Sequence, residues 1–76
     1  MENDITTMLD YILEIAESKD LTKDQLSAKA GFHRQQVSKW TARSSDPTLN
    51  NFIRLCKAAG VRLILQNDDS GHHIRI

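Results

Sequence analysis

Cysteine, proline, glycine and aromatic residues are all scarce in these 76 residues. The one cysteine, Cys56, can form no internal disulfide and offers no metal cluster, which suits a reducing cytosol. The one proline, Pro47, and the three glycines stand singly, and neither repeat nor low-complexity tract is present. No apolar run approaches the roughly 18 residues that span a bilayer, and no charged-then-apolar leader opens the chain. A soluble, cytoplasmic chain with no membrane partner is expected. No Ser/His/Asp grouping, glycine-rich phosphate loop or pair of catalytic carboxylates stands out, so an enzyme is not expected. His72 and His73 are neighbours on an expected strand and would point to opposite faces, which makes a poor zinc pair without a third ligand. Asp68-Asp69 lacks calcium-loop spacing. Neither metal nor cofactor is called for.

Net charge is also lacking: ten Lys/Arg balance ten Asp/Glu. The distribution is uneven. Residues 1–20 hold six acids (Glu2, Asp4, Asp10, Glu14, Glu17, Asp20) against Lys19, a balance of −5. Residues 22–43 hold Lys23, Lys29, Arg34, Lys39 and Arg43 against Asp24, a balance of +4. Residues 44–76 come to +1. A chain of this length allows one modest core and buries only about 60% of its unfolded surface, so association with a second copy would be an economical support.

Hydrophobic spacing divides the chain into elements. Ile5, Met8, Leu9, Ile12, Ile15 and Ala16 recur at intervals of three and four, which predicts a helix over 4–18 with Asn3 or Asp4 as cap. Thr22 and Gln25 form a capping-box signature for a second helix over 23–30, and Gly31 sits where a left-handed residue would end it. A third helix is expected over 34–43. Ser44-Ser45-Asp46-Pro47 reads as a turn, and Thr48 as the cap of a fourth helix ending at Gly60. In that helix Leu49, Phe52, Ile53, Cys56 and Ala59 share the expected apolar face, with Asn50, Arg54 and Lys57 opposite. Residues 61–66 are β-branched and apolar-rich, 67–71 form a turn cluster, and 72–76 alternate again. They predict a hairpin with Val61, Leu63 and Leu65 on one face.

The third helix has two sides. Val37 and Trp40 share the inward phase, and Gln35, Ser38, Lys39 and Ala42 point away from them, with Arg34 at the N-terminal tip and His33 just before it. Arginine can bond guanine O6 and N7 through two donors, and glutamine can do the same for adenine N6 and N7. A short helix, a glycine-marked turn and a second helix with a polar, basic outer face fit the DNA major groove.

With those residues in place, the chain resembles the lambda-repressor and Cro type (XRE-like) of helix-turn-helix domain. The resemblance runs over residues 4–61 and rests on Leu26, Ala30, Gly31, Phe32, Val37 and Trp40, followed by Pro47-Thr48-Leu49. It implies a mainly α, four-helix domain over 1–60, and the expected C-terminal β-hairpin over 61–76 is similar to the terminal strands of small Cro-like and antitoxin repressors, which implies a dimerisation element of the same domain. It implies base reading by Arg34, Gln35, Ser38 and Lys39, with His33 and Gln36 as further candidates for DNA contact. Lys23, Thr41, Arg43 and Asn50 would lie along the phosphate backbone, and Val61, Leu63, Leu65, Ile74 and Ile76 would form the dimer contact. Two positions depart from the pattern: Ser27 stands where alanine is preferred, and His33 replaces the usual serine cap. The expected function is a homodimeric transcriptional repressor of phage or mobile-element type, autoregulatory, on a pseudo-palindromic, inverted-repeat operator in double-stranded DNA. The alternatives are an antitoxin that also binds a toxin protein, and a protein-interaction module that has lost DNA binding.

Overall fold

A computed structural model describes residues 4–76. Four helices, α1 (Asp4–Ser18), α2 (Lys23–Ala30), α3 (Arg34–Thr41) and α4 (Leu49–Ala59), precede two short strands, β1 (Ile64–Gln66) and β2 (His73–Arg75). Asn3, one of the two caps expected for α1, lies outside the described residues. The mainly helical class with a C-terminal hairpin is the expected one.

Each helix forms where its periodic residues meet a local stop. Thr22 Oγ1 accepts from the Gln25 amide at 3.1 Å, and the Thr22 amide donates to Gln25 Oε1 at 3.0 Å, so the capping box of α2 is closed at both ends. Thr48 caps α4 in the same sense, accepting from the Asn51 amide at 3.2 Å. All four helices then end with one geometry. The amides of Leu21, Phe32, Ser44 and Val61 donate back to the carbonyls of Ala16, Ser27, Lys39 and Cys56, over 2.8–2.9 Å. The residue before each donor is left-handed: Asp20, Gly31, Arg43 and Gly60 have φ of 61°, 85°, 65° and 77°. This is the Schellman ending, and three of its donors, Leu21, Phe32 and Val61, fold back onto the core.

The core takes one stripe from every helix: Leu9, Ile12 and Ala16, then Leu26 and Ala30, Val37 and Trp40, and Phe52, Leu55, Cys56, Ala58 and Ala59. Ser27 is buried among them, and its hydroxyl donates to the Lys23 carbonyl at 2.7 Å, so the serine fits where an alanine was expected. Burial pushes the Cys56 thiol above its ordinary value, against a smaller opposing effect of a backbone hydrogen bond. No helix among the described residues is long and apolar enough to cross a membrane.

Two boundaries and one burial differ from expectation. Helix α3 stops at Thr41, not at 43, because Arg43 adopts the left-handed conformation that closes it. Leu49 has the phase of the apolar face yet is 68% exposed. Side chains lean toward the helix N-terminus, and in the first turn that carries Leu49 past the end of the core. Leu55 and Ala58 are buried in α4 instead. The first strand begins at Ile64 because Val61 and Leu63 pack back against the helices. The strands pair antiparallel, Ile64 with Arg75, Leu65 with Ile74 and Gln66 with His73, and the Ile76 amide donates to the Leu63 carbonyl at 2.8 Å.

Candidate nucleic-acid interface

The short helix α3 is held by its neighbours rather than by its own length. Eight residues, about 12 Å of helix at about 1.5 Å each, are too few to be stable alone. Val37 is fully buried and Trp40 is 5% exposed, which pins the inward side. Phe32, in the turn before α3, meets Trp40 edge-on with ring centroids 5.1 Å apart and planes at 84°. Arg54 of α4 lies over the other side of that turn. Its guanidinium carbon is 4.4 Å from the Phe32 ring centroid, and its Nη2 donates to the Ala30 carbonyl at 2.9 Å. A cation at the C-terminal end of α2 also suits the partial negative charge there. Arg54 is exposed, as expected of the side of α4 opposite its apolar face, yet its guanidinium is engaged with the turn before α3.

The side of α3 facing away from the core carries Arg34, Gln35, Gln36 and Lys39, all exposed, with exposed His33 preceding them. Ser38 is half-buried, the least accessible of the four residues expected to read bases. His33 has extended backbone (φ −74°, ψ 143°) and makes no side-chain capping bond, in keeping with histidine's weakness as a cap. Asp24, in the first turn of α2, places Oδ1 3.5 Å from Arg34 Nε.

The residues expected along the phosphate backbone fall into two groups. Arg43 and Asn50 are exposed, Arg43 at the end of α3 and Asn50 in the first turn of α4. Lys23 and Thr41 instead meet each other, with Lys23 Nζ donating to Thr41 Oγ1 at 3.4 Å. The Thr41 hydroxyl in turn donates to the Ser38 carbonyl at 3.0 Å. That hydroxyl is engaged within the protein, whereas the ammonium of Lys23 has three donors and is exposed. The first turn of α2 thus touches both ends of α3, Arg34 through Asp24 and Thr41 through Lys23.

The residues expected at a dimer contact also separate. Val61 and Leu63 are half-buried against their own core, while Leu65, Ile74 and Ile76 are 58%, 55% and 39% exposed. Alternation along the paired strands puts Leu63, Leu65, Ile74 and Ile76 on one face and Ile64, Gln66, His73 and Arg75 on the other. Among the described residues no three His, Cys, Asp or Glu side chains gather as a metal site.

Residue types and helical phase located the outward face of α3. They gave no sign of the contacts of Arg54 and Asp24, which join separate elements. Compared with known families, the chain matches the helix-turn-helix family over residues 12–65, from the second half of α1 into β1. No curated protein and no solved structure matches it.

Proposed function

The chain belongs to the helix-turn-helix family, whose members bind DNA and regulate transcription, and on that premise we propose that it is a homodimeric repressor of phage or mobile-element type. The observation that carries this reading is the two-sidedness of α3: Val37 and Trp40 buried, Arg34, Gln35 and Lys39 exposed, and the motif at a local charge of +4. Arg34, Gln35 and Lys39 would meet base edges, with half-buried Ser38 in a lesser part, and His33 and Gln36 would flank them. Lys23, Arg43, Asn50 and the helix N-termini would fix register on phosphate. The acids of α1 would face away, since like charge repels over a Debye length of about 8 Å at physiological salt.

Two such subunits on one duplex would set their recognition helices about 34–36 Å apart and read an inverted repeat. The hairpin face carrying Leu65, Ile74 and Ile76 supports pairing through that element, because a two-stranded hairpin with an open apolar face is marginal alone. Repression would follow from occupying a promoter, its own included.

The test is selection of bound duplexes from a random DNA library, then titration at two salt concentrations. An enriched inverted repeat, with affinity falling steeply as salt rises, is the expected result. A folded protein that enriches nothing would defeat the reading. A second reading, an antitoxin, draws on the exposed Asp10, Glu14 and Glu17 beside exposed Tyr11 on α1, which would suit a basic protein partner. Co-purification of a stoichiometric basic partner would favour it.

A further inference from the structure

Between residues 21 and 45 the chain contains one acid, Asp24, in the stretch that otherwise gathers positive charge. It lies in the first turn of α2, 61% exposed, and its carboxylate pairs with the Nε side of Arg34, which is 71% exposed. As a stabilising contact this pair contributes little, because exposed ion pairs are screened by water and salt. As a charge beside a phosphate backbone it works against binding. Its position has a different consequence.

An arginine can approach guanine with its two terminal nitrogens, or side-on with Nε and one terminal nitrogen. A carboxylate at Nε occupies the side-on approach and leaves Nη1 and Nη2 as the free fork. It also restrains a long side chain that would otherwise sample many rotamers before finding the one a base contact requires. We propose that Asp24 is a positioning residue for base readout, holding Arg34 by Nε so that its terminal fork meets guanine O6 and N7. The residue thereby lowers affinity for DNA in general and raises discrimination at one base pair. This rests on the DNA-binding reading of α3.

The test uses the duplex selected by the wild-type chain and versions of it with each base pair changed in turn. Arg34→Ala identifies the pair that Arg34 reads. Asp24→Asn keeps size and polarity and removes the charge. At that pair it is expected to lose about 2- to 4-fold of discrimination, no more than an exposed ion pair can supply by restraint. The other positions should be unchanged, and an unrelated duplex should bind about 2-fold more tightly once the acid is gone. Asp24→Glu should restore part of the discrimination, and in the Arg34→Ala background Asp24→Asn should leave it unaltered. Unfolding curves for each variant separate a folding defect from a binding one. Uniform tightening on every duplex, with discrimination intact, would overturn the positioning role and leave the DNA-binding reading standing. Failure of the wild-type chain to select any duplex would overturn both.

Discussion

Arg54 Nη2 donates to the Ala30 carbonyl at 2.9 Å across 24 positions of sequence, so the last helix holds the end of the helix that braces α3. The same device closes α4. Lys19 Nζ donates to the Ala59 carbonyl at 3.0 Å, at the other left-handed glycine ending. In both places a cation distant in sequence satisfies a terminal carbonyl and complements the helix dipole. The α2 contact has the wider consequence, because the same guanidinium packs on Phe32, which in turn packs on Trp40 of α3.

Arg54→Ala should therefore cost about 1–2 kcal/mol, from a charged hydrogen bond and a partly exposed cation–π contact. Urea unfolding reads this as a lower midpoint at unchanged slope. Arg54→Lys should recover part of the loss. An unchanged midpoint for Arg54→Ala would mean that the clamp carries no weight.

Gly31→Ala should be more damaging than a left-handed residue alone explains. Its φ is 85°, and a Cβ there would come within 2.6 Å of Arg54 Nη2. In the wild-type background the expected cost is about 2 kcal/mol, the left-handed penalty plus a displaced clamp. In the Arg54→Ala background only about 1 kcal/mol should remain. Additive costs in that double-mutant cycle would refute the coupling.

Arg43 offers the opposite case, a non-glycine residue at φ 65° where glycine would suffer no strain. Arg43→Gly should raise stability by about 0.5–1 kcal/mol while weakening DNA binding and lowering the salt slope by about 1. Stability and affinity would then move in opposite directions. If affinity and salt slope both stay unchanged, Arg43 does not contact phosphate.

The exposed hairpin face bears on association. Leu65→Lys combined with Ile74→Lys places charge on the exposed face of the paired strands and leaves the helical core untouched. Sedimentation should show a monomer, and affinity for a palindromic duplex should fall more than affinity for a half-site. A dimer that persists unaltered would move the contact elsewhere.

Cys56 connects burial to pH. Its thiol is raised above the ordinary value of 9.0 by burial, so the folded chain holds the proton more tightly than the unfolded one. The associated stability is fully present below 9.0 and is lost as pH rises through the folded value. Cys56→Ala should lower stability at neutral pH, and the gap from wild type should narrow in alkaline solution. A gap independent of pH would show that the thiol does not titrate differently on folding.

Local sequence determined a great deal here. The capping box of Thr22 and Gln25, the glycines that end α2 and α4, and the inward phase of Val37 and Trp40 all act within a turn or two of chain, and each lies where spacing predicts. The outward face of α3 was legible for the same reason: on a helix, whatever is not buried by phase is left facing out. Tertiary structure decided the rest. Phase cannot tell that Leu49 falls beyond the core, because that depends on where the neighbouring helices stop, whereas Leu55, three residues after Phe52 and four before Ala59, lies within reach of phase. Nor can it tell that Val61 and Leu63 fold back before the strands begin. Arg54 over Phe32, Lys19 at Ala59 and Asp24 beside Arg34 are contacts between separate elements, and a side chain reaches such a partner only after packing has brought that partner near.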